Sequence, residues 1–305
     1  MTNAMITSRS SYLPMQFSSA QIQQFQQQGF LVLDALLPPE VVTTVDDRLD
    51  PLFATRFETG IYPDEWHGRP GLSQPNATRQ MAGMWRCDRT VASLSFSAEI
   101  ARLNAQLGGW SGARFAMDSC WLKPPNAPEV AFHRNNTYVS CIDPATVITC
   151  WIALNDITPD MGTLEVVPGS HRWQCADTFK FVHAPDYDYR QPLWDAAQQA
   201  GVEPTQVEVE AIALPAGGCV FLHGDLWHGS GRNCTEQTRR SIAISTVPQA
   251  ARFQPPEVGV GYIFSRYRRL GDDAMDESFF PILWTPDGYR SAMAIAYCGD
   301  ILTLE

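Results

Sequence analysis

From residue 145 onward the chain runs in short β-branched and aromatic stretches. ATVITCWIALNDI, GTLEVVPGSH, QVEVEAIALPAGGCVFLHG and RRSIAISTVP are each bounded by Gly or Pro. With ARFAMDSCWLK at 113–123, they predict a mostly β core from about 110 to 248, a barrel or sandwich. Upstream the apolar period lengthens. SSAQIQQFQQQGF predicts a helix capped by Ser18, with Gln21 as the reciprocal partner and Gly29 as its end. FLVLDALL predicts a strand. A second helix opens at Pro38-Pro39-Glu40, with Val41, Val42, Val45, Leu49 and Leu52 on helical spacing and Asp46, Asp47 and Arg48 on its polar face. SAEIARLNAQLGG predicts a third helix, and the GGW at 108–110 reads as a turn, not a phosphate loop. Residues 58–80 have no period; a loop that long is more often functional than idle. YDYRQPLWDAAQQAG predicts an inserted helix, and YIFSRYRRLGDDA in the C-terminal extension a helix or a lid. The expected organisation is a flexible tail over 1–17 and a single domain over 18–305.

With 305 residues, 45% of them hydrophobic, the chain can bury one sizeable core. Lys and Arg number 22 against 33 Asp and Glu, a net charge of −11, which argues against a nucleic-acid partner. The opening MTNAMITSRSSYLPMQ lacks a basic stretch followed by an apolar run, so neither a signal peptide nor a membrane span is expected. None of the eight Cys sits in a C-x-x-C, and Cys150, Cys219 and Cys298 fall in apolar stretches that suit buried free thiols. A reducing, cytoplasmic setting fits.

The chemistry candidates lie at strand edges. His133 sits in AFHRNNTYVS, where a two-His, one-carboxylate iron site would place Asp or Glu two residues on; here Arg134 and Asn135 follow. His228 sits in FLHGDLWHGSGRN, and Arg239 and Arg240 open RRSIAIS. Two His 95 positions apart can converge inside a β-barrel, and a buried Arg at a strand start can grip a carboxylate with two prongs. On spacing alone, each His is more often a packing or surface residue than a ligand, and His67, His171 and His223 are weaker candidates still. Pro168-Gly169-Ser170-His171, Asp156 and Asp160 read as turn formers. Arg134 reads as structural or substrate-facing. Trp66 and His67 either cover a pocket or sit on a plain surface loop, and Tyr262, Arg266 and Arg268 read by default as a solvated face.

These segments together resemble the phytanoyl-CoA dioxygenase family of Fe(II)/2-oxoglutarate oxygenases. LKPPNAPEVAFHRNNTY looks like the family's first iron-His segment, and CWIALNDITPDMGTLEVVPGSHRW like its most recognisable block. HGDLWHGSGRNCTEQTRRSIAIS resembles the segment with the distal His, a Ser and the oxoglutarate Arg, and FQQQGFLVLDALLPPEVV its usual opening. The matches run in order from about 20 to 248. The resemblance implies a double-stranded β-helix, or jelly roll, with flanking helices. It implies Fe(II) held at His133, His228 and position 135, with Arg239 on the 2-oxoglutarate carboxylate and Arg240 as the alternative. Ser230 and Lys123 match positions near the cosubstrate, and Trp151 an aromatic lining the cavity.

The family's carboxylate ligand falls on Asn135, an uncharged amide, which should weaken Fe(II). Four arrangements follow. Asn135 is a weak third ligand; or a carboxylate such as Asp143 substitutes; or the position stays open for water, an anion or substrate, as in halogenating relatives; or the site is impaired. The expected function is Fe(II)/2-oxoglutarate-dependent oxidation of a small molecule by molecular oxygen, by default hydroxylation, in a setting such as secondary metabolism. A non-catalytic binder on the same fold is the rival.

Overall fold

The computed structural model describes residues 15–69, 71–176, 182–254 and 266–299. Its larger sheet has eight strands, all paired antiparallel. The order runs β1 (Phe30–Leu33), β10 (Cys219–His223), β7 (Ile148–Ala153), β12 (Arg239–Pro248), β4 (Ala113–Lys123), β3 (Arg79–Ala82) and β2 (Glu65–His67), with β14 (Ile282–Trp284) also on β4. Against it packs a four-stranded sheet in the order β5 (Val130–His133), β11 (His228–Ser230), β8 (Leu164–Val166) and β9 (Glu210–Ala211). A ribbon of β6 (Ile142–Asp143) and β13 (Arg252–Phe253) stands apart. This is the expected jelly roll.

The central strands are buried on both faces, which is why they read as continuous apolar runs rather than alternating ones. Cys150, Ile152, Cys219, Phe221, Ile242 and Ile244 point outward into a core closed by helices. Those helices are α1 (Ser19–Gln28), α2 (Pro39–Phe53), α3 (Arg89–Ser95) and α4 (Ala98–Gly108), which contribute Phe25, Val45, Leu49, Leu52, Val91 and Ile100. The alternate residues of the same strands point inward, between the sheets. α5 (Gln191–Gln199) covers β5 through Leu193 and Ala196 on Phe132, and α6 (Ala292–Cys298) closes the C-terminal side.

Local signals match well. Ser18 and Gln21 form the capping box, and Gly29 ends α1 at φ 82°. Several expectations need correction. The strand in FLVLDALL stops at Leu33, because its partner β10 begins at Cys219, just after a Pro215–Gly218 turn. The 58–80 loop contains β2 and the start of β3, strands too short to show a period. The tail does not reach 17: Phe17 is buried, bonds Gln106 through its N–H (3.1 Å) and meets Phe221 edge-on at 5.3 Å. Residues 1–14 and Tyr262 lie outside the described residues. Residues 266–273 form turns, not a helix; Arg266 bonds Asp64 and Arg268 the Gln254 carbonyl. All eight Cys are free thiols, Cys298 only partly buried. Among the described residues no helix is long and apolar enough to cross a membrane.

Candidate metal centre

Strand pairing joins the two distant histidines. β5 and β11 run antiparallel with His133 directly opposite His228, and the two rings lie 4.3 Å apart between centroids. Each Nδ1 sits 2.8 Å from a carbonyl two residues back along the chain, Ala131 for His133 and Leu226 for His228. A carbonyl only accepts, so each Nδ1 carries the proton and each Nε2 keeps its lone pair. Burial lowers the pKa of both, and the neighbouring His133 adds to it for His228, which falls to about 3. Both imidazoles are therefore neutral at physiological pH, the state a metal requires.

Asn135 opens a 3-10 turn directly after β5 and faces the same cavity. Its Nδ2 donates to Thr149 Oγ1 at 3.2 Å, which leaves Oδ1 as its donor atom. Asp143 does not substitute. It lies exposed on β6, where the ribbon pairs it with Arg252 outside the cavity. Among the described residues no three His, Cys, Asp or Glu converge on a metal position. The donor set is thus two neutral imidazoles and an amide oxygen. Nitrogen and oxygen donors suit Fe(II), and the locked Nδ1 protons direct the free nitrogens, so the residues fit the ion.

Of the two arginines, alternation sends Arg239 inward and Arg240 outward. Arg240 is spent on α2, with Nε 2.5 Å from Asp46 and Nη1 3.0 Å from Asp50. Arg239 is 3% exposed; its Nη1 donates to Gly162 O (2.6 Å) and Ser230 Oγ (3.2 Å). Its Nε is buried with no hydrogen-bond partner among the described residues. The guanidinium lies over the Trp151 ring, 5.5 Å from the centroid. Burial brings its pKa down to about 10, so it stays charged. Lys123, its strand partner, does not line the cavity: Nζ is 2.7 Å from Ser230 Oγ and also bonds the Gly231 carbonyl. Burial, then the charge of Arg239, push its pKa well down. Lys123 therefore holds Ser230 in place.

The cavity between the sheets measures about 220 Å³ and joins these groups. Its walls are largely apolar, with Met117, Trp121, Tyr138, Val139 and Leu222 among them. Sequence reading passed over several lining residues. His183 stacks between Trp121 (5.1 Å, 15°) and His67 (4.7 Å, 25°). Glu65 is the lone carboxylate among the described residues that line the cavity, and burial raises its pKa. Thr149 and Ser245 lie on the floor, 2.8 Å apart. Thr149 was accessible by strand alternation, two residues before Trp151; His183 carried no signal at all. His171 and His223 pack against each other with tilted rings, 5.1 Å between centroids, beside α1 and outside the cavity. Pro168–His171 form a turn as expected; Asp156 does not build a local turn but accepts from the Ala216 N–H at 2.9 Å, tying its segment to the Pro215–Gly218 turn.

A jelly roll with two opposed histidines and a buried arginine at one end defines the non-haem iron, 2-oxoglutarate class of dioxygenases. The family model for phytanoyl-CoA dioxygenase (PhyH) matches residues 25–241, and the chain belongs to that family. It is 32% identical over 245 residues to Dioxygenase trt7 of Aspergillus terreus, across 74% of this chain and 72% of that protein. Identity to the Phytanoyl-CoA dioxygenase of Arabidopsis thaliana is 23% over 258 residues, 74% of this chain and 87% of that protein. Among solved structures, the alpha ketoglutarate dependent epimerase SnoN from nogalamycin biosynthesis superposes with a TM-score of 0.67 at 20% identity, covering 87% and 97% of the two chains. EctD from S. alaskensis, in complex with 2-oxoglutarate and 5-hydroxyectoine, gives 0.61 at 21%, covering 79% of each. The family carries the enzyme class and its cofactor pair, iron and 2-oxoglutarate; the superpositions carry the fold.

Proposed function

We propose that this chain binds Fe(II) through His133, His228 and the Asn135 amide oxygen, anchors 2-oxoglutarate on Arg239, and hydroxylates a largely apolar small molecule. The observation that carries the reading is the register of His133 on His228, with both Nδ1 protons committed to backbone carbonyls. When bound, metal and cosubstrate supply the oxidising power, coupling reduction of molecular oxygen to decarboxylation of oxoglutarate to succinate. The protein's own residues do the rest. The neutral imidazoles ligate without releasing a proton. Arg239 pairs its buried charge with the distal carboxylate, while Lys123 and Ser230 set the position of that guanidinium's neighbours. The apolar walls exclude water and admit an apolar skeleton. Asn135 leaves the site one unit more positive than a carboxylate would, which favours the dianionic cosubstrate while weakening the hold on the ion.

The test is succinate formation from 2-oxoglutarate with Fe(II) and oxygen, compared with His133→Ala and His228→Ala. Turnover lost in both variants is the expected result. Turnover retained in His133→Ala would remove the reading.

A further inference from the structure

An amide ligand has a failure mode that a carboxylate lacks. Its two ends are nearly isosteric, and the wrong end turns two N–H donors toward the cation. Something in the fold must break that symmetry, and the floor of the cavity does. Thr149 on β7 and Ser245 on β12 are register partners, both side chains face the cavity, and their hydroxyl oxygens are 2.8 Å apart. Both residues are buried. Thr149 is β-branched, so its χ1 is restricted and its hydroxyl is held in place. Asn135 Nδ2 lies 3.2 Å from Thr149 Oγ1. When the Thr149 hydroxyl donates its hydrogen bond to Ser245 Oγ, its lone pairs face Asn135. That end of the amide must then be the nitrogen.

We infer that Thr149 and Ser245 form a hydroxyl relay that fixes the Asn135 amide with its oxygen available to the ion, making Thr149 the positioning residue for the third ligand. This rests on the iron reading proposed above. With Asp at position 135 the same hydroxyls would rotate and donate, and either carboxylate oxygen would serve. The relay is therefore optional for a carboxylate and obligatory for an amide.

The difference can be measured without turnover, as Mn(II) affinity of the full chain by isothermal titration. Five proteins are compared: the parent, Thr149→Val, Thr149→Ser, Asn135→Asp, and Asn135→Asp with Thr149→Val. Residues that orient a metal ligand typically govern about tenfold or more of the affinity. Thr149→Val is expected to weaken Mn(II) binding about tenfold, and Thr149→Ser to restore it to within about threefold. In the Asn135→Asp background Thr149→Val should cost less than about threefold. An unchanged affinity in Thr149→Val, or an equal penalty in both backgrounds, overturns the inference, since a purely structural role would act alike in each. Binding by Asn135→Asp but not by the parent also overturns it, while sparing the two histidines. Binding by neither removes the iron reading itself. Should Thr149→Val fail to fold, Ser245→Ala takes its place: a loss of about threefold supports the relay and no loss overturns it.

Discussion

Arg239 offers the sharpest separation between a binding group and a structural one. It is 3% exposed, its Nε has no hydrogen-bond partner among the described residues, and no carboxylate there pairs with it. A buried cation without a countercharge is costly, and the cost falls when an anion arrives. Arg239→Met keeps most of the bulk and removes the charge. Truncating one partner of a buried, hydrogen-bonded charge pair costs about 2–5 kcal/mol. At 1.4 kcal/mol per tenfold, 2-oxoglutarate should bind roughly 30- to 4000-fold more weakly. Arg239→Lys, which keeps a charge but not the two-pronged donor, should fall between. The assay is isothermal titration of 2-oxoglutarate into Mn(II)-loaded protein, beside thermal unfolding without ligand. Because the free protein holds an uncompensated charge, Arg239→Met should stay within about 1 kcal/mol of the parent in stability, or exceed it. Unchanged oxoglutarate affinity with a loss of several kcal/mol would refute the reasoning: Arg239 would then serve only to hold Gly162 and Ser230.

Further consequences follow from buried polar groups. Asp118 accepts from the Met84 N–H (2.8 Å), the Trp85 N–H (2.9 Å) and Ser95 Oγ (2.7 Å), so Asp118→Asn offers an amide N–H where a donor already points. At pH 7.5 urea unfolding should show a loss of about 1–3 kcal/mol, and an undiminished midpoint would count against it. Burial depresses the pKa of both His183 and His228 to about 3. The unfolded chain takes up those protons near pH 6.5 and the folded chain does not. The contribution of these two histidines to the stability of the ligand-free protein should hold above pH 6.5 and fall on acidification toward pH 3, by up to about 1.4 kcal/mol per pH unit for each. His183→Gln should flatten that slope by one histidine's share, and an identical slope would show that His183 does not carry it. Trp121→Ala removes one face of the His183 stack. It should raise KM for the apolar substrate more than it lowers kcat, and equal losses in kcat and kcat/KM would place Trp121 in the transition state instead.

Legibility in the sequence tracked how local each feature is. The α1 capping box needs residues three apart and was readable outright. The alternation in RRSIAIS allowed only one of two arginines inward, but choosing between them required α2, where Asp46 and Asp50 claim Arg240. His133 and His228 were identifiable through the resemblance, yet their opposition depends on a β5–β11 register that no local pattern encodes. Glu65 and His67 sit in a three-residue strand, too short for a period of two to register. His183 reaches the cavity through an isolated bridge to Val130, the kind of long-range pairing that leaves no trace in spacing. Lys123 was placed near the cosubstrate by the resemblance; only the fold shows that its Nζ is occupied by Ser230 and Gly231.

Whether an amide can complete this centre is best decided by titrating Fe(II) and 2-oxoglutarate into the protein without oxygen, read by visible absorption beside His133→Ala and Asn135→Asp. A saturable metal-to-oxoglutarate charge-transfer band in the parent, absent in His133→Ala, is the expected result. No band in the parent and a clear one in Asn135→Asp would contradict it, leaving the fold and Arg239 competent and Asn135 the residue that disables the metal.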